Sequence, residues 1–262
     1  MYFAVIGKAV RERSASPAMH KASFKKLGID AEYWAIDVPR EELSCFIQIA
    51  RLNLRGFNIT IPHKEEIVKH LDVLSTEARA IGAVNTVSNI NNVLMGYNTD
   101  ASAVYNLAGR YIRGADVLII GAGGAARAAL FASIKAEASK VYIMNRTYEK
   151  AKALAQEFIN KFRVEIAPVP WLNTTRAKVV INATPIHNQV LADLSEADLY
   201  VEFVYTPTPF TKMVEEANRR GVRVVDGVEL LVEQGAEAER IWLGVEPDKS
   251  VMKEAVLKFL RL

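Results

Sequence analysis

The chain has 262 residues, half of them hydrophobic, with 33 basic against 30 acidic residues and a formal net charge of +3. That is enough for one large domain or two modest ones with a sizeable core, and the charge balance argues against a nucleic-acid partner. The one cysteine, Cys45, cannot form an internal disulfide and is expected to fill the core, while the absence of a signal-like start or of an apolar run near the ~20 residues of a membrane span predicts a cytoplasmic chain with no membrane partner.

In chain order, a buried strand is expected over residues 2–6, then a helix opened by Ser16-Pro17 and stopped at Gly28. A strand over 33–38, a helix over 40–52, a strand over 56–59 and a later one that includes 92–97 complete a first α/β domain of residues 1–100. Residues 100–111 read as a helix leading into a second domain, residues 101–242. Its strands are predicted at 117–120, 141–144, 164–166, 179–182, 200–203 and 223–225, with helices at 148–162 and 210–219 between them. Such alternation implies a parallel, doubly wound sheet. Helical periodicity runs through 228–242, and a last helix over 249–260 closes the chain, its region (about 243–262) expected to pack back on the first domain. His20, His63, His70 and His187 are not at ligand spacing, so no metal site is expected.

The densest chemistry lies in Asp116 to Ala128, DVLIIGAGGAARA. An apolar run ends at Gly121-Ala122-Gly123-Gly124-Ala125, and an Ala-rich helix follows. The spacing Gly121, Gly123, Ala126 fits the dinucleotide-binding fingerprint of a Rossmann-type unit, in which a helix start offers free N–H groups to a pyrophosphate. The next strand ends in Asn145-Arg146-Thr147. An NAD site normally places an acid there for the ribose 2′-hydroxyl; Arg146, Thr147 and Lys150 instead suit a 2′-phosphate, which points to NADP.

Four further polar clusters fall at strand ends and loops: Ser14-Ala15-Ser16-Pro17, the run from Asn58 through Thr60 and Pro62 to Lys64, Gly82-Ala83-Val84-Asn85-Thr86, and Asn98-Thr99-Asp100. Singly, each reads as local structure: a helix start, an exposed loop lysine, an N-cap at Asp100. All four in this order are not explained by capping.

The ordered set S-x-S-P, N-x-T-x-P-x-K, G-A-V-N-T, N-T-D, G-A-G-G-A-A, N-R-T, N-A-T, Tyr205 and Gln234 resembles the shikimate dehydrogenases over nearly the whole chain. The resemblance implies an oxidoreductase of aromatic amino-acid (chorismate) biosynthesis that reversibly reduces 3-dehydroshikimate to shikimate with NADPH. It implies two α/β domains, a substrate domain and a Rossmann domain, with the active-site cleft between them, in a monomer or homodimer. Carried over by position, Lys64 and Asp100 match the catalytic pair. Ser14, Ser16, Asn58, Thr60, Asn85, Tyr205 and Gln234 match the substrate wall. Besides the glycine turn, Asn145, Arg146, Thr147 and Lys150 match the NADP-phosphate loop, and Thr184, Phe203, Gly227 and Leu230 the cofactor side. The sequence departs from the family pattern at Ile186-His187-Asn188 after Pro185, at Glu202 where Asp is usual, and at Thr206 where Asn is usual.

The chemistry has its own requirements. Hydride arriving at a ketone carbon leaves negative charge on oxygen, so a fixed ammonium and a proton source are needed there. Lys64 can supply both, with Asp100 accepting from a substrate hydroxyl and positioning Lys64, and the sequence leaves either of the two as the formal proton donor. The alternatives are a quinate/shikimate dehydrogenase using NAD, against which Arg146 and the missing acid argue, and a dinucleotide-binding regulatory protein that has lost catalysis, against which the presence of both Lys64 and Asp100 argues. A methylenetetrahydrofolate dehydrogenase shares the two-domain plan, but S-x-S-P and the Gln234 segment fit it poorly.

Overall fold

β1 (Tyr2–Gly7) is exposed at Tyr2 and buried at its next five residues, as expected of a strand covered on both faces. After it come α1 (Val10–Arg13), α2 (Ser16–Lys26), β2 (Glu32–Asp37), α3 (Leu43–Asn53), β3 (Gly56–Ile59), β4 (Val73–Leu74), α4 (Thr76–Ile81), β5 (Thr86–Ile90) and β6 (Val93–Tyr97). The structure is a computed structural model and describes residues 1–262.

These six strands form one sheet in the order β2-β1-β3-β5-β6-β4. β1 is parallel to β2 and β3, whereas β5 is antiparallel to both β3 and β6. The sheet is therefore mixed, and β5 is a strand that sequence alternation did not bring out. Its hairpin is closed by Asn91 and Asn92, which join the paired residues Ile90 and Val93 with φ of 52° and 63°. Asn tolerates this left-handed conformation, which a two-residue hairpin turn demands.

The second unit starts with α5 (Thr99–Ile112) and continues through β7 (Asp116–Ile120), α6 (Gly124–Lys135), β8 (Lys140–Met144), α7 (Tyr148–Lys161), β9 (Ile166–Val169), β10 (Val179–Asn182), β11 (Leu199–Glu202), α8 (Lys212–Arg220) and β12 (Arg223–Val225). All five strand pairings are parallel, in the order β12-β11-β10-β7-β8-β9. This is a doubly wound sheet whose order reverses between β7 and β10. Alternation along β7 feeds two cores, Val117 and Ile119 on one face and Leu118 and Ile120 on the other. β9 begins two residues later than the expected 164–166 and includes Pro168. An edge strand tolerates proline because one side of its backbone has no ladder to complete.

The chain finishes with α9 (Gly227–Leu243) and α10 (Lys249–Phe259). It divides into two compact units, Met1–Thr99 with Leu231–Leu262, and Asp100–Leu230. The return to the first unit thus begins inside α9, twelve residues before the 243 expected from sequence. Leu230 packs in a core of the second unit, whereas Ala238 and Trp242 join Phe3, Phe24 and Tyr33 in the first. The Trp242 indole also donates to the Val87 carbonyl at 2.9 Å. Cys45, expected in the core, is exposed: α3 buries Leu43, Phe46, Ile47 and Ala50, and residue 45 falls on the opposite face. No helix is long and apolar enough to cross a membrane.

Candidate functional site

In the first unit, the expected substrate residues lie at the ends of β3, β5 and α2 and on α9. Ser14 caps the C-terminus of α1, its N–H bonded to the Val10 carbonyl. The turn ahead of it is tied down by Asp37, which accepts from the Val10 N–H at 2.6 Å and from the Arg11 side chain. That Arg11 contact holds the Asp37 carboxyl below its ordinary range. Ser14 Oγ accepts from the Ser16 N–H at 3.3 Å. Ser16 is the first residue of α2, behind Ala15 at the N-cap, so its hydroxyl does not cap that helix. Both serines are buried.

Asn58 on β3 is buried and held from both ends of its amide. Tyr33 OH donates to its Oδ1 at 2.6 Å, and its Nδ2 donates to Thr86 Oγ1 at 3.0 Å and to the Asn85 carbonyl at 3.3 Å. Asn85 is a second node. Its Oδ1 accepts from the Thr99 N–H at 2.7 Å and the Thr86 hydroxyl at 3.1 Å, and its Nδ2 donates to Thr99 Oγ1 at 3.0 Å and Gln234 Oε1 at 3.4 Å. Gln234 Nε2 is fixed on the Leu231 carbonyl. Thr60 is half-buried just past β3, its N–H on the Ile6 carbonyl.

Lys64 follows the cis Ile61–Pro62 bond and is half-buried; its carbonyl takes the Val84 N–H at 2.7 Å. Asp100 is buried in the first turn of α5, directly after Thr99. Each is thereby tied, at its own backbone or its neighbour's, to the segment Val84–Asn85. Tyr33, Thr86 and Thr99 complete this network, and sequence reading did not single them out as site residues. Thr86 and Thr99 lie inside the G-A-V-N-T and N-T-D motifs, but nothing in the sequence marks Tyr33.

In the second unit, Gly121 follows β7 with φ +124°, and a Cβ there would stand 3.0 Å from the Ala183 carbonyl oxygen after β10. Glycine is needed at this crossing, which lies where the strand order reverses. Gly123 is exposed, and α6 opens behind it with no side chain capping its N–H groups. α7 likewise starts without a side-chain cap, and Arg146, Thr147 and Lys150 are exposed around that start. Asn145 braces this loop by donating to the Thr147 carbonyl at 2.9 Å. Two open helix N-termini, one among small residues and one beside two cations, suit a pyrophosphate and a further phosphate.

The ends of β10 and β11 are joined by Glu202, which is fully buried. Its carboxylate accepts from Tyr200 OH at 2.6 Å, Thr211 Oγ1 at 2.8 Å, the Val204 N–H at 3.0 Å and Asn182 Nδ2 at 3.0 Å. Burial raises its carboxyl above the usual range, opposed by those donors. Burial and the neighbouring Glu202 also push the Tyr200 hydroxyl well above its ordinary value. Asn182 Oδ1 accepts from both the N–H and hydroxyl of Thr184, at 3.1 and 2.7 Å. The longer acid at 202 is therefore a junction that orders the loops bearing Thr184, Phe203 and Tyr205. Gly227 lies against the same loop, and Leu230 is in the core. Asp226, not foreseen, caps α9 through the N–H groups of Val228 and Glu229, both at 2.9 Å.

Comparison with known proteins matches three stretches of the chain. Residues 5–87 match the family described as shikimate dehydrogenase substrate binding domain, residues 104–200 that described as shikimate / quinate 5-dehydrogenase, and residues 227–257 that described as shikimate 5′-dehydrogenase C-terminal domain. A relative from Pyrobaculum aerophilum named shikimate dehydrogenase (NADP(+)) is 71% identical over 262 residues, covering 100% of both chains. A solved shikimate 5-dehydrogenase of Thermus thermophilus in complex with shikimate superposes with TM-score 0.88 at 38% identity, covering 100% of both chains. The same enzyme in complex with NADP(H) and shikimate gives TM-score 0.85 at 36% identity, covering 98% of this chain and 99% of that one.

Proposed function

The chain belongs to the shikimate dehydrogenase family, and from that premise we infer that it is an NADP-dependent oxidoreductase that reversibly reduces 3-dehydroshikimate to shikimate. The observation that carries this reading is the Asn85 network. Thr86, Thr99 and Gln234 bond the buried Asn85 side-chain amide, Asn58 donates to the Asn85 carbonyl, and the Lys64 carbonyl takes the N–H of the adjacent Val84. Such a cluster presents fixed donors and acceptors, which suits a small polyhydroxylated acid.

NADPH, when bound, supplies the hydride. In this reading the Lys64 ammonium faces the ketone oxygen, stabilises its developing charge and delivers a proton, and Asp100 holds a substrate hydroxyl and orients Lys64. Ser14 and Ser16 bind the substrate carboxylate, and Thr60, Asn85, Tyr205 and Gln234 bind its hydroxyls, with Asn58 completing the wall. On the cofactor side, Gly121 to Ala125 take the pyrophosphate, Asn145, Arg146, Thr147 and Lys150 the 2′-phosphate, and Thr184, Phe203, Gly227 and Leu230 flank the nicotinamide half. The open starts of α6 and α7 and the exposed Arg146 and Lys150 support NADP as the cofactor. The first unit, Met1–Thr99 with Leu231–Leu262, is then the substrate domain and Asp100–Leu230 the cofactor domain.

The test is oxidation of shikimate by the purified protein with NADP+ or NAD+ in parallel, followed by nicotinamide absorbance. Turnover with shikimate and a strong preference for NADP+ are expected. No turnover with either cofactor, or equal use of both, overturns the reading.

A further inference from the structure

Glu239 sits fully buried on α9, five residues beyond Gln234. Both of its oxygens are engaged. Oε1 meets His20 Nδ1 at 2.7 Å, and Oε2 accepts from the Ser23 hydroxyl at 2.6 Å. Both partners are buried on α2, the helix that begins at Ser16. The His20 ring is held further by its face, stacked on Tyr33 with centroids 4.5 Å apart and planes 16° from parallel.

From Tyr33 the contacts run on to Asn58 at 2.6 Å, from Asn58 to the Asn85 carbonyl at 3.3 Å, and from Asn85 to Gln234 at 3.4 Å, which returns them to α9. The circuit is closed within the first unit, and the proposed substrate contacts Ser16, Asn58, Asn85 and Gln234 lie on it or on the helices it joins. Burying a carboxylate is costly even when it is paired, and apolar packing alone could hold α2 to α9, as Met19 does against Gly235. The directional bonds of a buried polar lock add a constraint on the offset between two helices beyond that of the apolar seam.

We propose that Glu239, His20 and Tyr33 are positioning residues of the substrate site. Glu239 with His20 sets the offset between Gln234 on α9 and Ser16 on α2. Tyr33, by donating to Oδ1, fixes which end of the Asn58 amide faces Thr86 and Asn85. The proposal rests on the reading of Ser16, Asn85 and Gln234 as substrate contacts.

Glu239→Gln removes the charge at nearly constant volume, and Tyr33→Phe removes one hydroxyl while keeping the stacked ring. With shikimate and NADP+, each variant is expected to raise the shikimate KM roughly tenfold, since a slight misplacement of a binding group costs up to about 10²-fold, with the NADP+ KM unchanged. A role in stability alone would lower Tm and leave both KM values where they were. That result, or an equal rise in both KM values, overturns the proposal. If Glu239→Gln does not fold, Tyr33→Phe decides. An unmodified protein inactive on shikimate overturns the functional reading and the proposal with it; an active one whose variants keep the shikimate KM overturns the proposal alone.

Discussion

The backbone of Gly227 passes so close to Val204 that a Cβ placed on it would lie 2.5 Å from the Val204 carbonyl carbon, nearer still to its oxygen, and 2.9 Å from the Tyr205 nitrogen. All three obstacles are main chain. Val204 is moreover pinned through its N–H to Glu202. The start of α9 and the loop after β11 are therefore fitted to each other with no room for a methyl group. Gly227→Ala should destabilise by at least the ~1–3 kcal/mol of an overpacked core, each kcal/mol lowering Tm by roughly 2–4 °C in a chain of this size. A thermal melt is the measurement, and an unchanged Tm would contradict so close a fit.

Cofactor choice turns on Arg146. It is exposed beside the uncapped start of α7, and the three residues after β8 carry no acid. Arg146→Ala should raise the NADP+ KM roughly 10- to 100-fold, the worth of a charge-assisted hydrogen bond, and leave the NAD+ KM nearly unchanged. Steady-state kinetics with the two cofactors distinguishes this from a general loss of binding. A parallel rise for NAD+ would mean that Arg146 supports the loop rather than a 2′-phosphate.

Much of this was legible in the sequence, and the parts that were not share a cause. The second unit's strands carry runs such as 117–120 whose burial is set by local pattern, and the glycine turn announces itself by composition. β5 escaped because its signal is the Asn91-Asn92 turn, a pair that reads as a hairpin only once both φ values are known to be positive. The unbroken helical periodicity of α9 puts the end of the second unit at 242, but which unit each turn packs on is decided by partners such as Phe3 and Val87, far away in sequence. Glu239 and Tyr33 have no motif at all. Their importance comes from contacts spanning 219 and 25 positions, which no local pattern encodes.

Glu157 is one contributor to acid stability. Glu157 on α7 is bonded to Arg127 on α6 and to Lys161, and the Arg127 contact above all lowers its carboxyl from 4.5 to about 2. A carboxyl whose folded value is depressed stabilises the fold above its unfolded value and loses that contribution as pH falls. The Glu157 contribution is thus complete above pH 4.5 and lost on the way down to about 2. Glu157→Gln should be less stable than the parent near neutrality and show a shallower fall over that window. Denaturant midpoints across that range decide it; parallel curves for the two proteins would exclude the linkage.

Lys64 is expected to carry the chemical step. Its backbone is anchored by the Val84 N–H at 2.7 Å, one residue from Asn85, and Asp100 follows the Thr99 whose N–H Asn85 holds. Nothing in the local sequence of either residue requires these ties; they are made by tertiary structure. Lys64→Met keeps the length and apolar stem and removes the charge. Turnover should fall by roughly 10²–10⁴, the range of a positioned acid–base group, while shikimate and NADPH still bind because Ser14, Ser16, Gln234 and the glycine turn are untouched. Tm should change little, since the side chain is only half-buried. Asp100→Asn should slow turnover as well, and the double variant should lose less than the two single losses combined, because residues that act as a unit are not additive. Near-full turnover in Lys64→Met together with weakened shikimate binding would make Lys64 a binding residue and leave the proton to be supplied by another group.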